Sequence, residues 1–278
     1  MTLRPLPVRT RLYGGEDVDS YARRAAERNG TQERWIGNAL RSDGVVVSLS
    51  RRHPTRLRAW RELGDLHPSA FTTPDTVAGE WVTDRRKFFQ CSGGHSVYGR
   101  FPRAGWVCLR HRRWLAGTQP RIDPPSTLLA AERQYRNHLA SRHILFDGAA
   151  MLLGAECARV ALSPADITAR QEATGLPLEA AIYPEQVAFC RIATRPSLLS
   201  WAVHPDTEPA DVRRVLDAEC RRVVPDHGDS EPWRASTRLQ TVLFALRTEF
   251  RERLLSPGRA SSGPDRWNLL RHVWEDAN

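Results

Sequence analysis

Lysine is almost absent from this chain, because Lys87 is the only lysine among 41 basic residues. Arginine supplies the remaining positive charge, and the formal net charge is +9 with a calculated pI of about 10.0. A GC-rich codon bias is the simplest account of the choice of arginine over lysine, but the positive net charge is a separate property. A basic protein is expected to bind a polyanion, since arginine neutralises phosphate groups.

Long hydrophobic runs are also missing, since no apolar stretch approaches the roughly 20 residues needed to cross a bilayer. Pro5 and Pro7 interrupt the amino-terminal segment, so we expect no secretory signal. The five cysteines are odd in number and scattered, which argues against a disulfide framework. We therefore expect a soluble, cytoplasmic protein with no membrane partner.

Familiar catalytic motifs are absent from the sequence as well. It contains no Walker A loop, no glycine-rich dinucleotide loop, no Gly-x-Ser-x-Gly elbow and no His-Glu-x-x-His. A few acidic residues could be imagined as a nuclease set, but most of them lie where caps and turns favour aspartate: Asp123, Asp147, Asp206 and Asp211. We expect neither an enzyme nor a catalytic residue.

Length and periodicity predict a mainly helical protein with two domains. Residues 1–122 would form a domain with a helical part, about 1–80, and a small metal-bound β-hairpin part, about 81–122. Residues 123–278 would form an all-helical domain. Its predicted helices, followed by a linker and a terminal helix at 267–274, cover residues 126–142, 146–162, 163–175, 184–195, 209–224 and 233–255.

The first two helices are predicted to meet across a tight turn. An apolar stripe at helical spacing ends at Asn29-Gly30 and consists of Val18, Tyr21, Ala22, Ala25 and Ala26. Thr31 is expected to cap a second helix, which carries Trp35, Ile36, Ala39 and Leu40. In some proteins such a helix-turn-helix-like pair contacts DNA bases, but in most proteins the two helices simply pack against each other.

The cysteine and histidine spacing between residues 91 and 111 predicts a metal site. Cys91-x3-His95 and Cys108-x2-His111 would place two ligand pairs on two tight turns. Two thiolates and two imidazoles fill the four positions of a structural zinc ion and leave none open for catalysis. Since metal binding at such sites is coupled to folding, Cys108→Ser would be expected to unfold the local hairpin.

Aromatic residues surround these two pairs and would form a small core round the metal, namely Phe88, Phe89, Tyr98, Phe101, Trp106 and Trp114. On spacing alone, an equally weighted alternative is a buried cysteine pair with two surface histidines. The arginines near the turn of the helix pair and near the second ligand pair are the candidate nucleic-acid contacts: Arg23, Arg24, Arg34, Arg110, Arg112 and Arg113.

Two stretches together resemble the TniQ family of transposon-targeting proteins. Residues 16–30 contain a glutamate, a Ser-Tyr pair, an arginine, an alanine and a closing Asn-Gly, as the family's opening pattern does. Residues 106–115 are similar to the family's second zinc knuckle, in which Cys108 and His111 precede a turn and a leucine. With their order and separation, the two stretches cover about the first 120 residues of the chain.

The resemblance implies a helix-turn-helix-like part beside a zinc ribbon. It also implies an adaptor that joins target DNA, or a target-recognising complex, to an AAA+ transposition ATPase. An RNA-guided target-recognition complex and a second copy of the chain are further partners compatible with it. Where the family usually has Cys-Pro-x-Cys, Cys91 is followed by Ser-Gly-Gly-His, so His95 would replace a thiolate, and a further Cys-x2-Cys pair is missing.

Two other functions remain open from the sequence. One is a stand-alone TniQ-like DNA-binding regulator or host-defence component that acts without a transposon. The other is a helical protein-interaction scaffold that does not bind DNA and whose partner binding would be insensitive to salt. DNA binding would instead weaken steeply as salt rises, because counterions are released from the phosphates.

Overall fold

The structure is a computed structural model, which describes residues 3–51, 53–71, 86–89, 96–99, 104–122, 127–142, 144–225 and 228–255, with the backbone alone at 86–89, 96 and 249–255. These residues form ten α-helices and four short strands, which confirms the mainly helical class predicted from the sequence. No helix in this part of the chain is both long and apolar enough to span a membrane.

The chain divides into two compact units. The first comprises Met1–Phe101 and Leu115–Gln119, and the second comprises Pro102–Trp114 and Pro120–Asn278. The sequence placed the boundary near residue 122 instead. The difference arises because residues 104–114 are hydrogen-bonded to a helix of the second unit, so that unit contains a small hairpin as well as helices.

The first unit contains helices α1 (Val18–Arg28), α2 (Glu33–Ser42) and α3 (Pro54–Gly64), and strands β1 (Arg86–Phe89) and β2 (Ser96–Gly99). The two strands form an antiparallel hairpin. Its core lies around the fully buried Tyr21 of α1 and Trp60 of α3. Gly99 lies so close to the backbone of Gly15 that an added Cβ would be 2.1 Å from the Gly15 carbonyl oxygen.

Helix α1 has the boundaries that the sequence predicts, but α2 does not. Asp17 caps α1 by accepting a hydrogen bond from the Ser20 amide at 2.9 Å. Helix α2 begins after Gln32, so Thr31 is not its cap. Trp35 is 62% exposed, because α2 turns its other side, with Leu40, toward the core. Of the four residues named for this helix, Leu40 is therefore in the core and Trp35 is not.

A buried arginine of α3 determines how α2 is oriented. The side chain of Arg56 is only 6% exposed and donates to Asp19 of α1 at 2.7 Å and to Glu33 of α2 at 2.9 Å. It also donates to the Leu49 carbonyl oxygen at 2.7 Å. Glu33 lies on the same side of α2 as Leu40, seven residues later. The ion pair therefore holds that side toward α3 and leaves Trp35 in solvent.

A second buried ion pair joins α1 to the segment that precedes it. Glu16 is fully buried and Arg24 is 5% exposed, and the guanidinium donates to both carboxylate oxygens, at 2.9 and 2.6 Å. Ser20 donates its hydroxyl to Glu16 at 2.8 Å and accepts the amide of Tyr98 in β2 at 2.9 Å. The Tyr13 amide also donates to Glu16, at 3.1 Å. The carboxylate of Glu16 thus connects the segment before α1 to α1 itself and, through Ser20, to β2.

The Asn29 side chain extends this arrangement to the amino-terminal segment. Its amide oxygen accepts the Val8 amide at 2.8 Å, and its amide nitrogen donates to the Val8 carbonyl at 3.0 Å. Gly30 follows with a positive φ of 68°, a conformation in which glycine carries no steric cost. The closing Asn-Gly of residues 16–30 therefore both ends α1 and holds the chain before it.

The second unit is built from helical segments around one apolar core. They are α4 (Thr127–Gln134), which continues through a π-helical turn (Tyr135–Leu139) and a 3-10 turn (Ala140–Arg142), α5 (Ala149–Ala161), α6 (Pro164–Thr174), α7 (Leu178–Ala193), α8 (Pro196–Val203), α9 (Pro209–Val223) and α10 (Pro232–Leu255). Helix α7 begins six residues before Pro184, where the sequence predicted its start. Ser163 caps α6 as predicted, and Gly175 ends it with a φ of 64°.

Helices α5, α7, α9 and α10 supply most of this core. Gly154 of α5 permits close packing on α7, since an added Cβ would lie 2.3 Å from the Gln186 carbonyl oxygen. Cys157, Cys190 and Cys220 are fully buried in the core, and burial raises the pKa of all three thiols. Cys157 is therefore a core residue, as expected. The predicted linker and terminal helix after residue 255 lie outside the described residues.

Breaking the Glu16–Arg24 pair should strongly destabilise the first unit. We expect Arg24→Met or Glu16→Gln to lower the free energy of unfolding by about 3–5 kcal/mol, because each leaves a buried charge without its partner. The double variant should cost less than the sum of the two, since it removes both charges. Urea denaturation followed by circular dichroism measures each value.

Arg23→Met is the matched control for this experiment, because Arg23 is the exposed neighbour of Arg24. Its effect should stay within about 0.5 kcal/mol. Equal effects of Arg23→Met and Arg24→Met would show that the buried pair does not stabilise the unit.

Candidate metal and nucleic-acid surfaces

Cys108 and His111 lie on a short hairpin, which we call the knuckle (residues 107–114). Strands β3 (Val107–Cys108) and β4 (Arg113–Trp114) pair antiparallel, and residues 109–112 connect them. Arg112 adopts a left-handed conformation with a φ of 50°, which closes the turn. The sequence prediction of a tight turn at the second ligand pair agrees with this geometry.

The turn brings the two candidate ligands together. The Sγ atom of Cys108 lies 3.3 Å from Nδ1 of His111. Sulfur at about 2.3 Å and nitrogen at about 2.0 Å from a tetrahedral zinc ion would be separated by about 3.6 Å. The two donors are thus close to the separation that one ion requires. Desolvation, followed by the charges of Arg110 and Arg113, lowers the pKa of His111, which favours the neutral imidazole that binds metal.

The other two predicted ligands, Cys91 and His95, lie outside the described residues, in the sequence between β1 and β2. Within the described ranges, no group of three or more Cys, His, Asp or Glu side chains is placed to hold a metal ion. The separation of Cys108 and His111 is therefore compatible with two ligands of a tetrahedral zinc site, and Cys91 and His95 stay a prediction from the sequence spacing.

A buried carboxylate of α4 anchors the knuckle to the second unit. Glu132 is fully buried and accepts the amides of Gly105 at 3.0 Å and Val107 at 3.2 Å. It also accepts the Tyr183 hydroxyl at 2.7 Å and pairs with Arg136 at 2.6 Å. Burial, followed by the adjacent carboxylate, raises the pKa of Tyr183, so the phenol remains a donor. These bonds hold β3 without any metal.

Aromatic contacts also attach the knuckle to the helices of the second unit. Trp106 and Trp114 stack with ring centroids 5.4 Å apart, as the prediction of an aromatic core at the knuckle requires. Their remaining partners come from the helical unit, since Phe146 lies 5.4 Å from Trp106 and Tyr183 lies 6.0 Å from Trp114. Tyr98 belongs to the first unit, where Arg23 lies over its ring. Phe101 and the side chains of Phe88 and Phe89 are outside the described set.

The predicted nucleic-acid contacts separate into exposed and buried residues. Arg110, Arg112 and Arg113 are all exposed on the knuckle, and Arg23 and Arg34 are exposed on α1 and α2. Arg24 is different, because its guanidinium is buried against Glu16 and also donates to the Arg11 carbonyl at 2.8 Å. Arg24 therefore faces the interior of the first unit and is withdrawn as a DNA contact.

Helix α2 presents a polar surface that sequence reasoning did not single out. Arg34, Asn38 and Arg41 are exposed and share one side of the helix, since they are four and three residues apart. We call these three residues the α2 basic face. The guanidinium of Arg34 lies 5.6 Å from the centroid of the exposed Trp35 ring. The sequence signal that could have identified this face is the helical spacing of the polar residues 34, 38 and 41.

Comparisons with protein-family models, with curated proteins and with solved structures find no match for this chain. Its function must therefore be inferred from its own residues, chiefly the knuckle and the α2 basic face.

Metal content tests the assignment of the knuckle. We expect the reduced, freshly purified protein to contain about one zinc per chain, and Cys108→Ser to lose it, because a serine hydroxyl does not replace a thiolate ligand. Cys157→Ala, which removes a core thiol, should retain the metal. Elemental analysis measures both, and either a metal-free wild type or full zinc in Cys108→Ser would overturn the assignment.

The same variant separates metal binding from folding of the hairpin. Glu132 and the stacked tryptophans hold the knuckle independently of the ligands, so near-ultraviolet circular dichroism of Cys108→Ser should keep most of the tryptophan signal. The expectation from the sequence, that the hairpin unfolds, would instead give a large loss of that signal, so the same spectrum decides between the two.

Proposed function

We propose that this protein is a DNA-binding targeting adaptor of a transposition system. In this role it links target DNA, or a target-recognising complex, to an AAA+ transposition ATPase. The observation that carries the proposal is the α2 basic face, which lies on the second helix of the pair α1–α2, directly after the stretch 16–30 that resembles the TniQ family. A structural zinc ion held by Cys108 and His111, with Cys91 and His95 as the other ligands, is part of the same proposal.

The chemistry of the α2 basic face suits a DNA groove. Arginine can donate two hydrogen bonds to guanine, and asparagine can pair in the same way with adenine. Arg34 and Arg41 on either side of Asn38 therefore provide two side chains for guanine or phosphate and one for adenine. The second helix of a helix-turn-helix pair is the one that enters the major groove. This surface supports sequence reading rather than charge attraction alone.

The knuckle arginines suit the phosphate backbone. Arg110 and Arg112 lie on the exposed turn of a hairpin that Glu132 anchors, so the turn is presented on a rigid support. Phosphate contacts position a protein on a duplex without reading its sequence. We therefore assign the knuckle a positioning role and the α2 basic face a reading role.

The exposed Trp35 fits the adaptor half of the proposal. Large aromatic residues that are exposed beside arginine are enriched at the centres of protein interfaces. The guanidinium of Arg34 lies over its ring, so the pair could contact either DNA or a partner protein. A pull-down of the transposition ATPase with Trp35→Ala distinguishes these roles, because loss of the ATPase with retained DNA binding assigns Trp35 to the protein interface.

Substitutions on α2 should weaken DNA binding in two distinguishable ways. Asn38→Ala should cost about 1–3 kcal/mol on the preferred site and relax its base preference, because it removes a direct base contact. Arg34→Ala and Arg41→Ala should each weaken binding. If the substituted arginine contacts a phosphate, the slope of the logarithm of the binding constant against the logarithm of the salt concentration should become shallower by about 1. Fluorescence anisotropy on selected duplexes across a salt series measures these effects.

Arg58→Ala is the matched control, because Arg58 is an exposed arginine of the neighbouring helix α3. It should bind DNA almost as tightly as the wild type. A wild type that binds no DNA, or binds with no dependence on salt, would contradict the proposal and favour a protein-interaction scaffold.

A further inference from the structure

The second unit contains a cavity of about 380 Å³ that is separate from the knuckle and from α2. Three parts of the unit line it: the end of the α4 segment, the carboxyl-terminal part of α7 with the residue before α8, and the end of α9. Its volume falls within the range of about 300–1,000 Å³ that is typical of small-ligand sites. Ala188, Ile192 and Val223 supply the apolar part of its wall.

Positive charge dominates the polar part of the wall. Four arginines line the cavity, namely Arg142, Arg191, Arg195 and Arg222, and Glu219 is the only carboxylate among the lining residues that the structure describes. Surface arginines are usually accompanied by acidic neighbours. In this cavity four arginines share one carboxylate, so the partner of each arginine has to be identified.

Glu219 forms ion pairs with two of the four arginines. Arg195 donates to both of its carboxylate oxygens, at 3.1 and 3.0 Å, and Arg222 donates to one of them at 2.9 Å. These bonds lower the pKa of Glu219, with the bond from Arg195 as the largest cause, so the carboxylate stays ionised. Glu219 therefore fixes Arg195 and Arg222 at one side of the cavity while neutralising one charge.

Arg142 and Arg191 have neutral partners. Arg142 donates to the backbone carbonyl of Thr194, and Arg191 donates to the side-chain oxygen of Gln134 at 3.0 Å. Neither forms an ion pair with a carboxylate in the described part of the chain. Desolvation is the main cause that lowers the pKa of Arg142. These neutral bonds hold each guanidinium in place and leave its charge uncompensated.

We propose that this cavity binds a phosphate group, with Arg142 and Arg191 as the principal donors and Arg195 and Arg222 as additional positive charges. A guanidinium matches phosphate geometry with two parallel hydrogen bonds, and a cleft lined by charges of one sign concentrates anions. The phosphate could belong to a free phosphate ester or to a nucleic-acid backbone. The cavity chemistry is the same for both, and the proposal does not depend on a role in transposition.

The test uses the full chain and inorganic pyrophosphate as the probe. We expect isothermal titration calorimetry to detect binding to the wild type, and Arg142→Met and Arg191→Met each to weaken it about tenfold or more, because each removes a charge-assisted hydrogen bond. Arg159→Met is the control, since Arg159 is an exposed arginine of α5 that does not line the cavity. Thermal unfolding confirms that the variants remain folded.

A second arm distinguishes the source of the phosphate. If pyrophosphate displaces a short DNA duplex, and Arg142→Met weakens the binding of both, the site holds a nucleic-acid phosphate. If the variant loses pyrophosphate but binds DNA normally, the ligand is a free phosphate ester. The α2 variants Arg34→Ala and Arg41→Ala should retain pyrophosphate binding, so failure of the DNA proposal would leave this one standing. No binding of millimolar pyrophosphate to the wild type, or equal binding by all variants, would overturn it.

Discussion

The first unit depends on one buried ion pair, between Glu16 and Arg24. A carboxylate in the interior is stable only when its hydrogen-bonding capacity is filled, and here Arg24, Ser20 and the Tyr13 amide fill it. Because these donors come from α1 and from the segment before it, satisfying one charge fixes the path of both. Ser20 then receives the amide of Tyr98 and extends the same arrangement to β2. Glu16, Ser20 and Arg24, which belong to the segment 16–30, therefore serve folding, and the DNA contacts that we propose lie on α2 and the knuckle.

In the second unit, the buried carboxylate of Glu132 has the corresponding role, because it also accepts hydrogen bonds from separate parts of the chain. Strand β3 is two residues long and buries too little surface to be stable alone. The carboxylate of Glu132 binds two of the amides next to and within β3, while Tyr183 joins it from α7. Gly105 has to be glycine here, since an added Cβ would lie 2.2 Å from a carboxylate oxygen. The two candidate ligands, Cys108 and His111, are consequently carried on a hairpin that the helices of the second unit hold in position.

Local signals predicted the regular parts of this fold well. The period of the α1 stripe, the Asn29-Gly30 stop and the Ser163 cap depend only on neighbouring residues, and the structure confirms them. Long-range pairing was not readable from the sequence. The Arg56–Glu33 bond rotates α2 so that Trp35 is exposed, and Glu132 places the knuckle in the second unit. Both depend on carboxylates, Glu33 and Glu132, whose partners lie more than 20 residues away in the chain.

The positions of the arginines show which of them can contribute to binding a polyanion and which are buried in the protein. Arg24 and Arg56 neutralise buried or partly buried carboxylates, and Arg247 bonds the carbonyls of Pro205 and Thr207 from a buried position. These three arginines thus serve packing, for which a planar guanidinium with several donors is better suited than an ammonium group. Other arginines are exposed as well, and the surfaces to which we assign a role with a polyanion are the α2 basic face, the knuckle turn and the cavity beside Arg142. The number of arginines in the sequence overstates affinity for phosphate, whereas their placement indicates where a phosphate would bind.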